Sequence, residues 1–102
     1  MKRVVITGLG SITPIGIGKE EYWNSLLEGK SGVDYITRFD TEKFATKFAA
    51  EVKGFKAEDY MDKKEIRRMD RYSQYAVAGT HQALEDGEID LEKEDRDRKS
   101  VV

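Results

Sequence analysis

The chain has no cysteine and only one proline and one histidine in its 102 residues. Without cysteine there is no disulfide, no thiolate nucleophile and no cysteine-based metal site. No excess of one charge sign exists either. Lys plus Arg number 18 against 20 Asp plus Glu, a formal net charge of −2. A general nucleic-acid binder would carry a clear basic excess, so nucleic acid is not an expected partner. No apolar run approaches the ~20 residues needed to span a membrane. The run after Met1-Lys2-Arg3 is too short for a secretory signal. The expectation is a soluble, cytoplasmic chain with neither cofactor nor metal. Its length allows one domain with a modest core.

What is abundant is charge, at 37% of residues against roughly 25% in ordinary globular chains. Apolar residues are grouped rather than spread. Val4-Val5-Ile6 reads as a buried strand. Thr7-Gly8-Leu9-Gly10 then ends it in a turn. A strand before Gly-x-Gly suggests nucleotide binding, but a dinucleotide fingerprint needs a small residue where Thr13 stands, ahead of Pro14. Gly18-Lys19 resembles the end of a phosphate loop, yet Glu20 follows and Thr13 occupies the earlier glycine's position.

The spacing of Tyr22, Trp23, Leu26 and Leu27 predicts a helix over Lys19 to Glu28, with Trp23 as a core anchor and Gly29 as a left-handed cap. Glu20 and Glu21 suit its start. Val33 to Phe39 reads as irregular or weakly extended, and Asp40 as the N-cap of a short helical turn. Alternation around Phe48-Ala49-Ala50 predicts a strand within Lys47 to Lys53. Glu58-Asp59 reads as a helix-start signal before a basic helix over Lys63 to Met69. A longer helix is expected over Tyr72 to Glu85, or one bent helix over both. Tyr72, Ala76, Gly79 and Ala83 give it a small face for close approach, and Gly87 stops it. Glu88 to Arg98 reads as a solvated loop, and Val101-Val102 as the start of another strand.

His81 lies mid-helix with no nucleophile or orienting partner in view, so a structural role is expected for it. No carboxylate pair is placed for acid–base work. Lys64, Arg67 and Arg68 stand at i, i+3 and i+4, on one helix face. Charge pattern alone makes this a solvated face, with Glu65 and Asp70 damping its field.

The chain resembles the β-ketoacyl-acyl-carrier-protein synthases, the condensing enzymes of fatty-acid synthesis, and their elongating second type best. The residues that carry the resemblance are Val-Ile-Thr-Gly-Leu-Gly with Thr-Pro-Ile-Gly, then Tyr22 to Val33, Phe39-Asp40-Thr41 and Lys47 to Lys53. Lys64-Glu65-Ile66-Arg67-Arg68-Met69-Asp70-Arg71 and Gln74-Tyr75-Ala76 extend it over nearly the whole chain. The resemblance implies an α/β class. The chain would be the amino-terminal part, residues 1–102, of a thiolase-like layered fold, an incomplete mixed sheet with helices. It implies an acyltransferase that condenses an acyl group with malonyl carrier protein and releases carbon dioxide. The family's cysteine nucleophile and two histidines would lie beyond position 102. No catalytic residue is therefore expected here, and the chain alone is expected to be inactive. Lys64, Arg67 and Arg68, with Lys63 contributing, would help dock the acidic acyl carrier protein. The family is expected to be homodimeric, and the isolated chain to self-associate. Arg98-Lys99-Ser100-Val101-Val102 departs from the family's apolar-glycine pattern after the arginine, and the chain is read as truncated. The alternative reading is a small non-catalytic module that binds carrier protein through the basic face.

Overall fold

A computed structural model describes residues 2–92. Two small antiparallel sheets and three α-helices follow in order. Strands β1 (Ile12–Thr13) and β2 (Gly16–Ile17) form a tight hairpin with Pro14 and Ile15 at its turn. The fixed φ of proline suits the first corner of such a turn. The Thr13 hydroxyl closes the hairpin by donating to the Gly16 carbonyl at 2.7 Å. Helix α1 spans Lys19–Glu28 as expected, with Glu20 and Glu21 in its first turn and Gly29 left-handed at φ 69°.

The face that α1 buries is not the expected one. Ser25 is buried, its hydroxyl donating to the Ile15 carbonyl at 2.6 Å, so the helix sits on the hairpin through a small polar residue. The stripe of Tyr22, Trp23, Leu26 and Leu27 faces outward, and Trp23 is 60% exposed rather than a core anchor. Nothing among the described residues covers it.

Strands β3 (Val33–Tyr35) and β4 (Phe48–Ala50) pair antiparallel, with Val33 opposite Ala50 and Tyr35 opposite Phe48. The Tyr35 and Phe48 rings meet across the ladder at 4.7 Å. The loop between them contains no helical turn at Asp40. Instead the Asp40 carboxylate accepts the Glu42 N–H at 3.0 Å and the Thr41 carbonyl accepts that of Phe44, closing a non-helical turn. After β4, Glu51 is nearly buried and pins the loop. It accepts from the Thr37 hydroxyl at 2.9 Å and from the backbone N–H groups of Thr37 and Arg38.

The Thr37 hydroxyl, joined by those backbone donors and the Arg38 guanidinium, holds the Glu51 carboxyl below the ordinary carboxylate value, against the opposing effect of burial. A depressed carboxylate binds fewer protons folded than unfolded. Its stabilisation is present above the unfolded value and lost as pH falls through the lower, folded value. Amide exchange at Thr37 and Arg38 is therefore expected to speed up as pH falls below the ordinary carboxylate range, after correction for intrinsic exchange. In Glu51→Gln the dependence should be gone. Equal pH dependence in both proteins would contradict this.

Glu58 and Asp59 lie in the first turn of a short 3-10 helix, Ala57–Asp59, so they open that helix and not the basic one. The N-cap of α2 (Lys63–Arg68) is Asp62, whose carboxylate accepts the Glu65 N–H at 2.9 Å. Helix α3 (Arg71–Asp86) is separate from α2. Gly87 ends it in the right-handed region at φ −82°, and Glu88, at φ 53°, is the left-handed residue instead. Gly87 lies against the amino-terminal segment, where an added Cβ would come within 3.2 Å of the Thr7 carbonyl oxygen.

That segment, residues 2–11, is not a strand. Val4 and Ile6 are 95% and 83% exposed, because no described strand lies beside them to pair or bury them. Gly8 and Gly10 press directly on α3. A Cβ on Gly8 would stand 2.2 Å from the Ala83 carbonyl oxygen, and one on Gly10 2.1 Å from that of Gly79. Side chains of α3 hold the segment. Gln82 Oε1 accepts the Ser11 N–H at 2.8 Å and Asp86 Oδ2 accepts the Leu9 N–H at 2.9 Å. Lys19 of α1 donates to the other Asp86 oxygen, tying α1 and α3 together. This pair, with the Leu9 N–H, holds the Asp86 carboxyl below its usual range.

The apolar residues buried among those described are Ala57, Met61 and Ala78. The readings for Arg98 and Val101-Val102 lie outside the described residues.

Candidate functional site

Helix α2 carries the cluster singled out from the sequence. Lys63, Lys64, Arg67 and Arg68 are all exposed, and the helix has no buried residue. Lys64, Arg67 and Arg68 form one face, with no side-chain hydrogen bond or ion pair to another described residue. Their charges are thus free to meet an anion. Ile66 is half-buried and turns inward. Arg67 and Arg68 occupy the last turn, where cations favour the negative end of the helix dipole.

Both ends of α2 are held by side chains. Asp62 caps the first turn, as described. At the other end Gln74, from α3, donates its Nε2 to the carbonyls of Ile66 and Met69, each at 3.3 Å. Neither residue was singled out from the sequence. Asp62 stands three positions before Glu65, a spacing that marks a helix start. Gln74 leaves no such signal, because its partner carbonyls lie in another helix turn and its neighbour.

His81 is where the sequence put it, on α3. Its ring meets Tyr60 edge-on at 5.8 Å, and its Nδ1 is 3.6 Å from the Glu85 carboxylate. No nucleophile accompanies it among the described residues. Tyr60 also stacks on Phe55 at 6.0 Å, and Phe55 meets Tyr75 at 4.9 Å. His81 is thus one edge of an aromatic cluster joining the 3-10 turn to α3.

The Gly8-Leu9-Gly10 stretch does not form a phosphate loop. Its glycines are consumed by contact with α3, and Leu9 N–H is bonded to Asp86. A cleft of about 640 Å³ opens between the start of α1 and the end of α3. Its walls include Lys19, Glu20, Glu21, Glu85 and Asp86, and its one lysine is already paired with Asp86. Among the described residues no group of three or more His, Asp or Glu is placed to hold a metal ion. No helix among them is long and apolar enough to cross a membrane.

Known proteins similar to this chain agree with one another. The model of the β-ketoacyl synthase N-terminal domain matches residues 1–102. A 3-oxoacyl-[acyl-carrier-protein] synthase 2 from Staphylococcus aureus (strain COL) is 46% identical over 100 residues, which are 98% of this chain and 24% of that protein. The protein of the same name from Synechocystis is 45% identical over 101 residues, 99% of this chain and 24% of its own length. The chain thus spans about a quarter of the length of these relatives. Among solved structures, the ishigamide ketosynthase/chain length factor superimposes with a TM-score of 0.79 at 41% identity, over 86% of this chain and 22% of that one. A β-ketoacyl synthase from Burkholderia phymatum gives 0.75 at 33% identity, over 95% and 24%. The fold is therefore that of the ketosynthases, the thiolase-like α/β fold, present here as its amino-terminal helices and small sheets. The chain belongs to the β-ketoacyl synthase family and matches that family's N-terminal domain.

Proposed function

We propose that this chain is the carrier-docking, non-catalytic part of a cytoplasmic β-ketoacyl-acyl-carrier-protein synthase. The whole protein would condense an acyl group with malonyl carrier protein and release carbon dioxide. Lys64, Arg67 and Arg68 recruit the acyl carrier protein, with Lys63 beside them. The observation that carries this reading is the exposed basic face of α2, whose three cations have no partner among the described side chains. A carrier helix rich in Asp and Glu is steered toward such a face, and each guanidinium can grip a carboxylate with two parallel bonds. The thiol nucleophile would come from elsewhere in the whole protein, since this chain contains no cysteine.

Kinetics of the intact protein test the proposal. Exposed charge pairs contribute ~0.2–1 kcal/mol each, so K64A/R67A/R68A should raise KM for malonyl carrier protein roughly tenfold. The loss should shrink as salt rises, because the screening length falls from ~10 Å at 0.1 M to ~3 Å at 1 M. An unchanged KM at low salt would refute the docking role.

A further inference from the structure

Helix α2 is too short to be helical by itself. Isolated helices below ~12–15 residues are marginal in water, and α2 has six. Packing compensates only in part, through the half-buried Ile66, since no α2 residue is fully buried. Its terminal N–H and C=O groups have few partners within the helix; at the carboxyl end the only backbone donor to the Ile66 carbonyl is the Met69 N–H, at a long 3.4 Å. Two side chains satisfy some of them. Asp62 accepts the Glu65 N–H at 2.9 Å at the amino end. Gln74 reaches across from α3 and donates to Ile66 and Met69 carbonyls at 3.3 Å at the carboxyl end. Gln74 is part-buried, so its bonds are shielded from competing water.

We propose that Asp62 and Gln74 are positioning residues that hold α2 in the helical form presenting Lys64, Arg67 and Arg68 as one face. The inference rests on the docking reading above and adds residues that touch no partner. Without the clamps, the three cations remain but their common face is populated only part of the time. Apparent affinity then falls by the fraction of time the competent form is lost. The number of ion pairs in the docked complex does not change. Its salt dependence should therefore be preserved, unlike that of a variant lacking the charges.

The test uses the intact protein and purified acyl carrier protein, with Kd measured at several salt concentrations. Gln74→Met keeps the side-chain length and removes the donor. The variant loses both Gln74 hydrogen bonds, which shifts the helix equilibrium by roughly tenfold, and since Kd varies as the inverse of the helical fraction it should rise by up to about that factor, equally at every salt concentration. The plot of log Kd against log salt should stay parallel to wild type. R67A/R68A should flatten the same plot. Asp62 supplies a second, independent arm, needed should Gln74→Met fail to fold. Asp62→Asn and Asp62→Ala both remove a negative charge, but asparagine still caps and alanine does not. Asp62→Ala should bind roughly threefold or more weaker than Asp62→Asn. A purely structural role would lower the melting temperature and leave the Kd of the folded protein unchanged. The inference is overturned if R67A/R68A weakens binding while Gln74→Met binds as wild type, or while Asp62→Ala equals Asp62→Asn. If R67A/R68A has no effect, the docking reading itself fails.

Discussion

Gly10→Ala is expected to destabilise the protein by roughly 3 kcal/mol or more, a large effect for one methyl group. The added carbon would meet the Gly79 carbonyl oxygen at 2.1 Å, Gln82 Cβ at 2.8 Å and the Ala83 nitrogen at 2.9 Å. Two of these obstacles are helix backbone, which cannot rotate aside. Relief requires residues 8–11 to lift off α3, which would break the Ser11–Gln82 and Leu9–Asp86 hydrogen bonds. Gly79→Ala is the control. An added Cβ there meets nothing within 4 Å, and alanine favours a helix interior by ~1 kcal/mol. Denaturant unfolding of both variants checks the pair. Gly10→Ala should unfold well before wild type and Gly79→Ala at or after it. Equal stability of Gly10→Ala and wild type would show that the segment does not rest on α3.

The isolated 102-residue chain is expected to be marginally stable and to self-associate. Its radius of gyration is 17.1 Å, where a compact domain of this length has about 13 Å. Buried apolar residues among those described are Ala57, Met61 and Ala78, and of these Ala78 alone is fully buried. Trp23, Leu27, Tyr35, Phe48 and Tyr72 are instead exposed, Tyr72 by 74%. Ordering the backbone costs ~1–2 kcal/mol per residue, and so small a core does not offset it. Exposed apolar patches, such as that of Val4, Val5 and Ile6, promote association. Sedimentation should show species that grow with concentration, and thermal unfolding should be broad. A sharp transition from a monomer that is unchanged over a wide concentration range would contradict the expectation.

The helices were legible in the sequence because their signals are local. The stripe from Tyr22 to Leu27 and the left-handed Gly29 bound α1. The end of α3 falls one residue from the expected Glu85, and its start one residue from Tyr72. The direction of the stripe was not legible. Spacing reveals that a stripe exists, whereas its cover depends on what packs there, and α1 packs through Ser25. Val4 to Ile6 shows the same limit, since β-branched residues become a strand only beside another strand. The β1–β2 hairpin carries one turn signal, Pro14 between Ile12-Thr13 and Gly16-Ile17, and its two-residue strands are too short to show an alternating pattern. Gly8 and Gly10 look like turn glycines in the sequence, but neither has a positive φ. They admit a helix, and that contact joins residues some seventy positions apart. The small face of Tyr72, Ala76, Gly79 and Ala83 does receive a close approach, by Gly8 and Gly10 at Gly79 and Ala83. The structure shows the small residue required there is Gly10, since the Cβ direction of Gly79 is open. For the basic face, the i, i+3, i+4 spacing identified all three cations. The Gln74 clamp is not legible in the sequence, because a side-chain bond to the carbonyls of a neighbouring helix has no sequence period.

The docking role of α2 is tested most directly by titrating isotope-labelled acyl carrier protein with the intact protein and following its backbone amide shifts. With wild type, shifts are expected to cluster on the carrier's acidic helix and to diminish as salt rises. With K64A/R67A/R68A they should fall to near zero at equal concentration. Shifts of undiminished size with the triple variant would contradict the account.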